Sequence, residues 1–144
     1  MAGCVFCQIV AGELPARVVC EDEHTIGFLD VRPLFPGHVL LVPRVHVETL
    51  ADLPDELVEP LFTEARRVSA VMETALAAAG SFVAMNNKVS QSVPHLHVHV
   101  VPRNRKDGLK GFFWPRSRYR SDDEAAEVAD RLRATADALS PAEG

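Results

Sequence analysis

The chain predicts a single domain in which short strands are mixed with helices, and three observations carry that expectation. Short β-branched and apolar runs recur at 17–20, 25–30, 38–42, 82–85 and 94–102. From Pro54 to Ala79, apolar residues fall three and four apart, as they do along a long amphipathic helix. The length of 144 residues suits one sizeable core and leaves little room for a second. Apolar residues make up 47% of the chain, yet no apolar run reaches membrane-spanning length and no basic, hydrophobic leader opens it. A soluble, cytoplasmic protein without a membrane partner is therefore expected. Fifteen Lys and Arg against twenty Asp and Glu give a net charge of −5. That balance argues against a nucleic-acid partner and leaves room for one nucleotide held by local groups.

Taken in order, Cys4-Val5-Phe6-Cys7 comes first, and with Cys20 it makes an odd number of cysteines in a chain with no export signal. A metal or free thiols fit better than a disulfide framework. The Cys-x-x-Cys spacing lets two thiolates grip one tetrahedral zinc but supplies half of the ligands, and the same residues also read as small apolar groups packed beside Phe6 and Ile9. Gly12-Glu13-Leu14-Pro15 ends a short helical turn over Phe6 to Val10. The runs 17–20 and 25–30 flank Glu21-Asp22-Glu23 and predict a hairpin. Asp30 closes it, where a carboxylate either displays function or forms the turn into Val31-Arg32-Pro33. Pro36-Gly37 turns the chain into the apolar strand His38-Val39-Leu40-Leu41-Val42, closed by Pro43. His46 follows in a loop, as a candidate ligand or a solvated side chain.

Pro60 lacks a backbone donor, so the helical region is expected to split into a turn over 54–58 and a main helix from Glu59 or Pro60, stopped by Gly80. Phe82, Val83 and Met85 form the next strand, and the polar loop Asn86 to Ser92 follows it. Beyond Arg103 a basic loop, Asn104 to Gly111, leads to Phe112-Phe113-Trp114-Pro115, which either stacks on a base, packs on the core or enters a subunit interface. Ser121-Asp122-Asp123-Glu124 has the form of a capping box and opens an amphipathic helix reaching Leu139, after which 140–144 should fray.

The sharpest functional signal is Val93-Pro94-His95-Leu96-His97-Val98-His99-Val100-Val101-Pro102. On a strand, side chains alternate between faces, so the three imidazoles would share one face while Leu96, Val98 and Val100 share the other. The expectation is a half-buried strand whose histidines line a cleft beside the amides and hydroxyls of the preceding loop. Three imidazoles in register are costly to place, because each must find a hydrogen-bond partner or a metal.

With these residues the sequence resembles the histidine triad (HIT) hydrolases and transferases, whose signature is His-x-His-x-His-x-x with apolar x. Phe28-Leu29-Asp30-Val31, Pro36 to Pro43, Cys4-x-x-Cys7 and Gln91-Ser92-Val93 match family features in order, so the likeness covers nearly the whole chain. The resemblance implies an α+β fold with a five-stranded antiparallel sheet, one long helix and a C-terminal helix. It implies a single domain over 1–144, with 118–144 as a C-terminal helical extension, and a homodimer. It also makes His97 the nucleophile that attacks the α-phosphorus of a purine nucleotide, forming a nucleotidyl-histidine intermediate released by water or another acceptor. The proton on the other nitrogen of that ring would rest on the backbone carbonyl of His95. His99, Ser92 and Gln91 would attend the phosphate and leaving group. Asp30 would hold the ribose hydroxyls, Asn86 the phosphate end, and Phe6, Ile9 and Phe28 would flank the purine, with His38 supporting the triad. A zinc-containing branch of the family implies a structural zinc on Cys4, Cys7, His46 and His95. Lys88-Val89-Ser90 departs from the family's glycine-rich loop.

The resemblance therefore implies cleavage of a nucleoside monophosphate from an amine or from the second half of a dinucleoside polyphosphate. A phosphorylase variant would use phosphate in place of water. The competing class is a nucleotide-binding regulatory or interaction protein with little turnover. A purely structural zinc domain would leave His97, His99 and Gln91 without a role.

Overall fold

The computed structural model describes residues 3–109 and 116–139, and these fall into two units that meet at Asp107/Gly108. In the first unit, α1 (Val5–Val10) precedes β1 (Val18–Glu21), β2 (Thr25–Leu29) and β3 (Val39–Pro43). A short 3-10 turn at Leu50–Asp52 leads into α2 (Asp55–Ala75), followed by β4 (Gly80–Ala84) and β5 (Val98–Arg103). All neighbouring strands pair antiparallel, in the order β1-β2-β3-β5-β4. The five-stranded antiparallel α+β architecture expected from the resemblance is what the chain adopts. No helix among the described residues is long and apolar enough to cross a membrane.

The central position of β3 follows from its composition, because Val39-Leu40-Leu41-Val42-Pro43 offers apolar side chains to both faces and every residue is buried. Val39 and Leu41 point to one side, with Val98, Val100, Leu96 and the α2 residues Leu61, Ala65, Val68 and Met72. Leu40 and Val42 point to the other, with Ile26, Phe28, Cys4 and Phe6 of α1. Leu40 is paired directly with His99, and directly opposed residues share a face. The apolar positions of the histidine segment thus fill the α2 side, while the histidines fall on the α1 side. Gly27 sits between Cys20 and Leu41, where a Cβ would come within 2.7 Å of the thiol and 2.6 Å of a leucine methyl.

Three expectations need correction. The long helix begins at Asp55 and runs through Pro60. Asp55 and Glu56 favour the helix N-terminus, and the missing N–H frees only the carbonyl of Glu56, an exposed residue whose carbonyl water can satisfy. The helix stops at Ala75, well before Gly80, which instead opens β4 opposite Arg103. Ala77 takes the left-handed conformation (φ 55°), because the chain must reverse there to enter the sheet. Finally, only His99 lies on a strand; His95 and His97 precede β5, since β3 ends at Pro43 and the His95 ring occupies that residue's carbonyl.

The second unit holds α3 (Asp122–Ala138). Ser121 Oγ accepts the Glu124 N–H at 3.1 Å, while the Glu124 carboxylate takes the Arg120 N–H at 3.2 Å instead of that of Ser121, so the capping box is half formed. Of the basic and aromatic segment, residues 110–115 lie outside the described residues, as does the tail 140–144.

Candidate active site

A cavity of roughly 490 Å³ opens on the α1 side of the sheet, a size suited to a nucleotide-sized ligand. Phe6, Ile9, Phe28 and Leu40 make its apolar wall, and Asp30, Ser92, His97 and His99 supply its polar groups. Phe6 meets Phe28 edge-on at 5.5 Å and the His97 ring at 5.1 Å, so one aromatic side chain of α1 braces both the wall and the histidine.

Backbone groups set the tautomers of His97 and His38, and His38 in turn sets that of His99. His97 Nδ1 donates to the His95 carbonyl at 2.8 Å, which leaves Nε2 as the ring's lone pair. Leu34 N–H donates to His38 Nδ1 at 3.1 Å, so the neutral His38 ring carries its proton on Nε2. That proton points to His99 Nδ1 at 2.9 Å, and His99 in turn holds its own proton on Nε2. Asp30 Oδ2 stands 3.7 Å from His38 Nε2, while its Oδ1 accepts the Arg32 N–H at 2.9 Å. Asp30 therefore forms the turn and lines the cavity at once. The Asp30, His38 and His99 ligand atoms are close enough to suggest a cation site, but the proton on His38 Nε2 makes the trio a hydrogen-bond chain instead.

Burial pushes the His99 imidazole down to about 4, with His97 and His38 adding to the effect, and burial likewise lowers His38 against the pull of Asp30. An unfolded imidazole titrates near 6.5, so below that value the unfolded chain binds more protons than the folded one. The contribution of both rings to stability is complete above that pH and is lost as pH falls toward the folded value. Denaturant midpoints measured from pH 7.5 down to about 5 should decline progressively. A flat profile would contradict the burial of these rings.

A second cluster lies behind the first. Cys4 caps α1 and its Sγ accepts the Cys7 N–H at 3.4 Å, which turns both sulfurs the same way. His95, fully buried, donates Nε2–H to the Pro43 carbonyl at 2.8 Å and so aims the lone pair of Nδ1 at Cys4 Sγ and Cys7 Sγ, each 3.5 Å away. His46 Nδ1 stands 3.3 Å from Cys7 Sγ. Sulfur and nitrogen ligands on one tetrahedral zinc lie roughly 3.5 Å apart, so the donor set and its spacing fit that ion. Cys20 stays apart: burial and the neighbouring Glu64 push its thiol up to about 12, which keeps it protonated and unreactive.

The site residues expected from the resemblance separate by location. Phe6, Ile9, Phe28, Asp30, Ser92, His97 and His99 line the cavity together, and Cys4, Cys7, His46 and His95 form the cluster. His38 stands behind His99. The other two brace the loop from outside the cavity lining. Gln91 Nε2 donates to the Glu48 carbonyl at 2.6 Å while Oε1 accepts the Lys88 N–H at 2.8 Å, and Asn86 Nδ2 donates to the Ser90 carbonyl at 3.2 Å. Lys88 (φ 69°) and Ser90 (φ 61°) adopt the left-handed backbone that glycine takes most easily, so this loop keeps a glycine-like path without glycine. Sequence reasoning missed Val5, Leu14, Pro15, Ala16 and Val93 as cavity walls, because an apolar side chain carries no chemical mark of its role. It also missed Leu34, which acts only through its N–H.

A HIT domain model matches residues 11–106. The adenosine 5′-monophosphoramidase of Saccharomyces cerevisiae is 34% identical over 110 residues, 75% of this chain and 68% of the yeast protein. A HIT-family protein from Bacillus subtilis superposes with a TM-score of 0.83 at 30% identity, over 92% of this chain and 96% of the other. A zinc-bound histidine triad family protein from Mycobacterium smegmatis does so with a TM-score of 0.72 at 36% identity, over 92% and 97%. With the family model spanning most of the chain, and the sheet, the aromatic cavity and the histidine segment in register, this chain belongs to the HIT domain family.

Proposed function

We propose that this protein is a hydrolase or nucleotidyl transferase that acts on the α-phosphate of purine nucleoside phosphoramidates or dinucleoside polyphosphates through a nucleotidyl-His97 intermediate. The observation that carries the reading is the 2.8 Å bond from His97 Nδ1–H to the His95 carbonyl, which leaves Nε2 as a lone pair on a buried ring that lines an aromatic-walled cavity. Phe6, Ile9 and Phe28 take the purine, Asp30 the ribose hydroxyls, and His99 Nε2–H with Ser92 the phosphate oxygens. His97 Nε2 forms a bond to phosphorus as the bond to the leaving group breaks. With a phosphoramidate the nitrogen keeps that electron pair and takes a proton from solvent. Water then attacks the phosphorus and gives a proton back to solvent, the P–N bond pair returns to Nε2, and a nucleoside monophosphate leaves.

Cys4, Cys7, His46 and His95 would hold a zinc whose part is structural, since four protein ligands close a tetrahedral site. The reading includes a homodimer, for which exposed Val58 and Phe62 on α2 offer apolar surface, and a solution mass of one chain would remove that part. The test of the activity is direct: adenosine 5′-phosphoramidate and diadenosine substrates should yield AMP, and added phosphate should change the product only if phosphate replaces water. Tight AMP binding with no AMP release from any of them would defeat the proposal.

A further inference from the structure

A second cavity, of about 520 Å³, adjoins the first, and Val5, Ser92 and Val93 line both. Because Ser92, assigned to the phosphate in the proposed function, lines both cavities, a group leaving phosphorus on that side would enter this second space. Among the described residues that line it, Glu48 is the one carboxylate and there is no Lys or Arg. Cys4 and His46 also line it, and a zinc held by two thiolates and two imidazoles would leave their cluster without net charge.

The Glu48 backbone is anchored. Its carbonyl accepts Gln91 Nε2 at 2.6 Å, and the preceding carbonyl of Val47 accepts the Leu96 N–H at 2.8 Å. The side chain is exposed, and it makes no hydrogen bond or ion pair with any described residue. A carboxylate on an anchored backbone, with no partner among the described residues, places negative potential in this second space.

We propose that Glu48 selects leaving groups by charge, favouring nucleoside phosphoramidates whose amine portion carries a further positive charge over those with anionic leaving groups, the polyphosphate half of a dinucleotide included. This inference rests on the proposed activity and narrows it to one substrate class. Across several ångströms of partly screened medium, one unit charge alters relative affinity by roughly tenfold. The effect weakens with salt, since the site is open to solvent.

The test uses three adenosine 5′-phosphoramidates of matched length, built on 1,3-diaminopropane (cationic), butylamine (neutral) and β-alanine (anionic). kcat/KM is measured for each with the wild type, Glu48→Gln and Glu48→Lys. The wild type should prefer the cationic over the anionic compound by about tenfold or more, Glu48→Gln should level the ratio, and Glu48→Lys should invert it. The same ratios appear in dissociation constants measured with His97→Ala, and with His97→Ala combined with Glu48→Gln or Glu48→Lys, where nothing turns over. If the neutral compound is cleaved but the ratios are flat, selection by Glu48 is wrong and the activity stands. If no compound is cleaved, the activity fails, and binding ratios that ignore Glu48 overturn the selection as well.

Discussion

Replacing His97 with alanine should lower turnover of adenosine 5′-phosphoramidate by at least about 10³-fold while the variant still binds AMP. The expectation follows from the way the ring is held. Its Nδ1–H is committed to the His95 carbonyl, so the attacking nitrogen needs no base to free its lone pair. Other residues supply most of the cavity wall, so the truncation should remove the proposed nucleophile and leave the proposed purine and ribose contacts in place. Phe6 loses a ring neighbour at 5.1 Å, which should cost about 1–3 kcal/mol of stability without unfolding the domain. Two readouts distinguish lost chemistry from lost structure: single-turnover release of AMP, and AMP affinity by calorimetry. Retained turnover, or a covalent nucleotidyl adduct still captured on the variant after acid quench, would move the nucleophile to another residue.

Changing Cys4 to serine should abolish binding of the proposed zinc and loosen the domain, with a loss of several kcal/mol against chemical denaturation. Cys4 and His95 are both buried, and the cluster ties α1 to the chain just before β5. Phe6 sits on that same short helix, between its two cysteines, and touches the rings of both His95 and His97. The cluster thus holds one wall of the cavity and the carbonyl on which the His97 proton rests. The variant should accordingly raise KM as well as lower the melting midpoint, and a chelator should have the same effect on the wild type. Metal analysis decides the matter: about one zinc per chain in the wild type and much less in Cys4→Ser is the expected result. Equal metal content in the two would reject the assignment.

Much of the fold was legible in the sequence because its strands advertise themselves. The apolar run at 39–42 reads as a central strand, and the alternation through Leu96, Val98 and Val100 correctly assigns an apolar face. The helix boundaries were less legible. Pro60 looks like a barrier, yet a proline costs a helix one hydrogen bond where the freed carbonyl can meet water, and the packed face of Leu61, Ala65, Val68 and Met72 carries the segment through. Gly80 looks like a stop, but the turn was made three residues earlier by Ala77.

For the site, the residue types and their order were enough to single out three histidines and a cysteine pair, because chemistry of that kind is rarely placed by accident. Spacing alone left the three rings equivalent; the family resemblance assigned them different roles, and their environments come from the structure. His95 is fully buried against two thiols, His97 turns one nitrogen to a carbonyl and lines the cavity, and His99 leans on His38, which lies far away in the chain. The sequence could not show that Gln91 and Asn86 brace their own loop, or that Glu48 lines the second cavity with no Lys or Arg among the described residues around it. By itself the sequence determined which groups are available and which strand face they share, since periodicity is a local property of the backbone. The tertiary structure alone decided which lone pair points where, because a ring's tautomer is set by the carbonyl or amide that packing brings against it.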